Sequence, residues 1–160
     1  MNTFPRRGLR YLPLLSTALV ILGFCLPSMA ALGGDVSSVE TDRAKMKAEI
    51  SVTSSNSYAV HEMTTPTRMV VREYVSADGR VFGVTWQGPF MPDMKQILGA
   101  YFQQYVAAAQ AAKAGRPGRR PLAIQQPGLV MESTGHMHSF SGRAYDPGLL
   151  PSGVTPDAIR

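Results

Sequence analysis

Cysteine is almost missing from this 160-residue sequence, and the single one is Cys25. That scarcity excludes an internal disulfide framework and every cysteine-based zinc or redox site. Histidine is also scarce, with three residues, and there is one tryptophan, Trp86. No G-x-S-x-G elbow, phosphate-cradling glycine loop or pair of neighbouring catalytic carboxylates occurs. Acidic residues are absent from the first thirty positions, and an unbroken apolar run of twenty residues is absent throughout.

What stands in those first thirty positions is a pattern. MNTFPRRGLR supplies Arg6, Arg7 and Arg10, YLPLLSTALVILGFCLP supplies an apolar stretch, and Ser28-Met29-Ala30 supplies small residues at an exit. A basic start, an apolar middle and an A-x-A-like end constitute a cleavable secretory signal, with the cut expected after Ala30. The apolar segment is shorter than the ~20 residues of a spanning helix, and Pro13 and Pro27 punctuate it. Arg6-Arg7 fits a twin-arginine signal poorly, and Phe24 stands where a lipobox needs a small residue, so the general secretory route is expected. Localisation is accordingly expected to be periplasmic or secreted.

Processing at Ala30 removes Cys25 and three of the sixteen basic residues, leaving thirteen against eleven acidic. The remaining 130 residues are enough for one domain with its own core. A charge of about +2 makes no case for nucleic acid, and none is expected as a partner.

The period of the sequence then changes along the chain. AEISVTSS and SYAVHEM alternate apolar and polar residues, and TPTRMVVREYV and RVFGVTW do so more strongly. Asp78-Gly79 lies between the last two and predicts a hairpin. On the first arm Met69, Val71, Glu73 and Val75 share one face, and on the second Phe82, Val84 and Trp86 form the expected core face. Pro92-Asp93 predicts a helix start. Met94, Ile97, Leu98, Tyr101, Phe102, Tyr105, Val106 and Ala109 then form one apolar stripe through about four turns. KAGRPGRRP, residues 113–121, ends that helix and concentrates four cations, read as a solvated connection that could also meet an anionic envelope surface. GLVMEST and HMHSFSGRAY predict a second hairpin pivoting on Gly135.

The expected fold class is α+β, an antiparallel sheet of about four to six strands with one long amphipathic helix packed on it. The expected organisation is a signal peptide over 1–30, a flexible lead-in over 31–47, a single domain over 48–146 and an irregular tail over 147–160.

Two sets of residues are candidate sites. His136 and His138 stand two apart, so in a strand both imidazoles would share a face and could share copper or zinc. His61, Glu62, Asp146, Met131 or Met137 could supply a third ligand. Arg72, Glu73 and Arg143 fall inside strand patterns, where a charge marks the solvated face or the rim of a binding surface. Arg72 and Arg143, with Trp86 at the sheet's end, are the candidate binding surface. A Ser139–His138–Asp146 triad can be written on paper, but the serine lies on a predicted strand rather than at a sharp turn. No catalytic residue is assigned, and no resident cofactor is expected.

VVREYVSADGRVFGVTWQGPFMPDMKQILGAYF, residues 70–102, and GHMHSFSGRAY together resemble a family of uncharacterised exported proteins of Gram-negative bacteria, the domain of unknown function numbered 2844. The resemblance extends from about Ala31 to Pro151. It rests most on Glu73-Tyr74, Asp78-Gly79, Val81-Phe82, Trp86, Gly88-Pro89, Pro92, Leu98-Gly99 and the block from Gly135 to Ala144. The family pattern often carries a basic residue where His138 stands, which argues against a family-wide His-x-His site. The resemblance implies one exported domain and adds no activity. The functional expectation is therefore a non-enzymatic exported binding or envelope-associated module, partnered by an envelope protein or anionic surface. The alternative is a small periplasmic metal-binding protein using His136 and His138, and after it a hydrolase.

Overall fold

The alternating segments fold into consecutive antiparallel strands in the computed structural model, which describes residues 32–115 and 121–160. The expected signal peptide, residues 1–30, lies outside the described residues, as does most of the basic connection. Strands β1 (Glu49–Ser54), β2 (Tyr58–Thr64), β3 (Val70–Ser76) and β4 (Val81–Gly88) form a meander. Gly79, at φ 81°, makes the β3–β4 turn at the expected Asp78-Gly79. After the helices come β5 (Leu122–Gln126), β6 (Leu129–His136) and β7 (Ser139–Tyr145). The last strand enters beside β4, giving one seven-stranded sheet in the order β1-β2-β3-β4-β7-β6-β5.

Seven strands exceed the expected four to six. The addition is LAIQQ, which the Pro127-Gly128 turn folds back onto β6, with Gly128 at φ 77°. The β6–β7 hairpin turns two residues later than expected, at Met137-His138, with His136 paired to Ser139. Gly135 serves packing instead of the turn. It pairs with Phe140, whose ring would come within 2.4 Å of any Cβ there.

A β-bulge interrupts the strict alternation expected for β4. Tyr74 pairs with Gly83 while Val75 pairs with Val81, so Phe82 is the extra residue. A bulge places successive side chains on the same side and re-aims those beyond it. Val81, Val84 and Trp86 therefore join the helix-side core, whereas Phe82 joins the opposite side.

The helix side is covered from two directions. Residues 31–47 were expected as a flexible lead-in with one short helical turn around Val39 to Lys47; a longer helix, α1 (Ser37–Met46), stands there and buries Ser38, Val39 and Asp42. The segment before it is tied to β4 by backbone bonds between Gly33 N and Val81 O (2.8 Å) and between Val81 N and Gly34 O (2.9 Å). The predicted long helix begins where expected, with Asp93 Oδ1 accepting from the N–H groups of Lys95 and Gln96. Gly99 interrupts it, so α2 (Met94–Leu98) and a 3-10 turn (Gly99–Tyr101) precede α3 (Phe102–Gly115). Met94, Ile97 and Leu98 are buried, while Phe102, Tyr105 and Ala108 are only half-buried.

Residues after β7 cover the other side of the sheet. They contain two 3-10 turns, Pro147–Leu149 and Pro156–Ala158, and Ile159 is fully buried. Ile159 packs with Tyr74, Phe82 and Tyr145, flanked by Tyr58, Val60, Leu149, Leu150 and Val154. Tyr58, Tyr74 and Phe82 form a three-ring cluster with centroids 5.8–6.1 Å apart. Each face of the sheet thus has its own core.

Candidate functional site

Strand register assembles one charged row across the tail side of the sheet. Glu62 on β2 pairs with Arg72 on β3, which pairs with Thr85 on β4. Thr85 pairs with Arg143 on β7, and Arg143 with Glu132 on β6. Residues directly opposite in adjacent antiparallel strands project to the same face, so all five stand together. Their order is acid, arginine, threonine, arginine, acid.

Each arginine is gripped on its outer side. Arg72 Nε donates to Glu62 Oε2 at 2.7 Å, and Arg143 Nε donates to Glu132 Oε2 at 3.0 Å. Arg143 also donates through Nη1 to the Pro156 carbonyl at 3.2 Å, which ties the row to the tail. Two strand spacings place the arginine backbones roughly 10 Å apart. Thr85 lies between them, 5% exposed, and its hydroxyl has no partner among the described residues.

A cleft of about 580 Å³ opens over this row, lined by Arg72, Thr85, Gln87, Ser141, Arg143 and Ile159 among others. The side chains of Arg72 and Arg143 keep 32% and 28% of their exposure. The two arginines named from the sequence are therefore brought together. Trp86 belongs to the other face: it is 2% exposed and packs in the helix-side core. Gly142 is what accommodates it, since a Cβ there would meet Trp86 Cζ2 at 2.3 Å.

Glu73 was expected on a solvated face or rim and is instead completely buried. It faces Asp42 of α1, also fully buried, whose Oδ1 accepts from Gln96 Nε2 at 2.7 Å. Asp42 Oδ2 and both Glu73 carboxyl oxygens find no donor among the described residues. Burial pushes Glu73 up to about 8, assisted by the adjacent Asp42 charge. Burial likewise raises Asp42 to about 6, against the lowering influence of the Gln96 amide. Two carboxyls so placed cannot both ionise cheaply, and a proton held on Glu73 can be donated to Asp42. Neither group meets solvent, so the pair offers no open site for a substrate.

The sequence did contain a signal for this pair. Glu73 shares a strand face with Met69, Val71 and Val75, and Asp42 shares a helix face with Val39 and Met46. A lone acid within an apolar stripe marks a buried, proton-holding group as readily as a solvated one.

The histidines are placed at the far end of the β6–β7 hairpin. His136 is the last residue of β6, and His138 lies in the turn at φ 61°, so the two do not share a strand face. His61 is on β2, four strands from β6, or roughly 19 Å at ordinary strand spacing. Glu62 is engaged by Arg72, and Asp146 accepts from Tyr101 Oη at 2.5 Å and from the Gly148 N–H at 2.8 Å. Burial, assisted by that contact, pushes the Tyr101 phenol up to about 12. Met131 is buried in the core and Met137 is exposed in the turn. Among the described residues, no group of three histidine, cysteine or acidic side chains is close enough to hold a metal ion.

These features describe an α+β fold whose seven-stranded sheet carries a cleft bordered by Arg72 and Arg143 on its tail side. A family model described as a protein of unknown function, the domain of unknown function numbered 2844, matches residues 28–159, and the chain belongs to that family. No curated protein and no solved structure matches the chain.

Proposed function

We propose that this protein is an exported, non-enzymatic binding module and that the tail-side cleft is its ligand site. The observation that carries the reading is the pair of arginines, each anchored by a glutamate and both bordering one depression. Held cations at a cleft suit recognition, since the entropy of ordering them is spent before a ligand arrives. Nothing beside them among the described residues forms a nucleophile with a base. Export rests on the basic start, apolar middle and Ser28-Met29-Ala30 exit of the first thirty residues. The metal-binding alternative rests on the His-x-His spacing alone.

Processed protein, residues 31–160, incubated with envelope extract is expected to retain a component that Arg72→Ala/Arg143→Ala protein does not. An extract that leaves nothing on the protein, together with ester, glycoside or peptide hydrolysis by the pure domain, would overturn the reading. Fractionation with N-terminal sequencing tests export separately, and a mature protein starting at Ala31 is the expected result.

A further inference from the structure

We infer that the tail-side cleft takes a ligand through an oxyanion group, a carboxylate or a phosphate, seated between Arg72 and Arg143. The inference rests on the reading of the domain as a binding module and specifies the ligand chemistry.

An ordinary cross-strand ladder alternates in sign, so each charge is neutralised by both neighbours. This row does not alternate. Its two cations stand on either side of a neutral threonine, and their counter-charges lie outside them. Each glutamate takes the Nε edge of its arginine, which leaves both Nη groups of Arg72 and Nη2 of Arg143 without a partner among the described residues. Guanidinium N–H groups are strong, planar donors whose best partners are carboxylate and phosphate oxygens.

Thr85 is an independent observation pointing the same way. Thr85 stands between the two arginines in the strand register and lines the cleft, and its buried hydroxyl has no partner among the described residues. An unmade hydrogen bond at a buried hydroxyl is costly, and an acceptor arriving between the arginines would satisfy it. Gln87 and Ser141, register partners one row further along, extend the polar floor. Pro121 and Ala123 supply exposed apolar wall, so the ligand carries an apolar flank beside its anionic group.

The test is titration of the folded domain, residues 31–160, followed by proton–nitrogen NMR. Three probes are used: N-acetyl-leucine, its neutral amide N-acetyl-leucinamide, and inorganic phosphate. Binding of N-acetyl-leucine or of phosphate is expected, weakened at least tenfold in Arg72→Gln and in Arg143→Gln and by raised salt. The amide is expected to bind at least tenfold more weakly than the acid. Acetyl-leucine alone would identify a carboxylate source, and phosphate alone a phosphate source. Equal binding of acid and amide would overturn the inference in favour of an apolar groove. Saturable binding unaffected by either substitution would overturn it too, as would no binding of any probe to wild type. Thr85→Val is the positioning control, since it removes the hydroxyl at constant shape. It is expected to weaken the acid several-fold while leaving the amide unchanged, whereas a merely structural threonine would alter both or neither. Extract retention that depends on the arginines, with all probes silent, would sink the oxyanion and leave the binding module standing.

Discussion

The two faces of the sheet solve the same problem with different materials. The helix side is an apolar layer into which one pair of acids has been sealed, Asp42 with Glu73. The tail side is an aromatic and aliphatic cluster at one end and a wet, charged row at the other. On the first face the charges are removed from water and must share a proton. On the second they keep water, and each arginine is matched to a neighbouring glutamate. A charge inside a strand pattern therefore has two fates, and what lies over that face decides between them. A helix carrying its own acid covers Glu73, whereas only part of the tail reaches the row of Arg72 and Arg143.

The largest expected effect concerns whether the tail is a true second core. Phe82→Ala removes a ring with no exposure and is expected to cost about 3–5 kcal/mol, and Ile159→Ala about 2–4 kcal/mol. Urea denaturation measures both, and losses below ~1 kcal/mol would mean that the tail only drapes over the sheet.

The next prediction sharpens the contrast between sealed and solvated charge. The folded protein keeps a proton on Glu73 from the ordinary value of 4.5 up to about 8, a range in which the unfolded chain has released it. Folding takes up a proton there, so stability is greatest below that window and falls as pH rises through it. Asp42 acts in the same direction between 3.8 and about 6. Calorimetry is expected to show a melting temperature lower at pH 9 than at pH 5 by on the order of 5 °C or more. Glu73→Gln, which stays neutral and can donate to Asp42, is expected to flatten most of that slope and to melt above wild type at pH 9. A wild-type curve that rises from pH 5 to 9 would contradict a buried shared proton.

Smaller effects are expected from the solvated row. Arg72→Gln and Arg143→Gln each break a half-exposed ion pair and should change stability by no more than about 1 kcal/mol. A loss of several kcal/mol from either would make the row a structural brace. The smallest effect belongs to the hairpin turn. His138→Gly relieves a left-handed conformation and is expected to leave stability unchanged or raise it by up to ~1 kcal/mol. Copper or zinc is expected to leave the melting temperature of wild type where it is, and a rise abolished by His136→Ala would restore the metal-binding alternative.

Much of this architecture was legible in the residues. Asp78-Gly79 gave its hairpin and Asp93 its helix start because turns and caps are local events set by two or three side chains. The Phe82/Val84/Trp86 face was misread at one position, since a bulge depends on pairing with β3 and leaves no mark in the strand's own alternation. Gly135 was misread as a pivot because its missing Cβ answers to Phe140 across the strand. Arg72 and Arg143 were individually recognisable as strand charges. Their convergence was not, because it depends on β7 inserting beside β4, a long-range pairing with no local trace.

That insertion also orders events in time. β1 to β4 can pair as each strand is made, and so can β5 to β7, but the seam joining the halves brings Thr85 to Arg143 across 58 positions of chain. Non-local closure of this kind is slow compared with hairpin formation, so docking of two preformed meanders should limit the rate of folding. Until then β4 and β7 each present an open edge, and each edge can accept the matching half of a second molecule as well as its own. The seam that builds the cleft is thus also where two copies at high concentration would exchange halves.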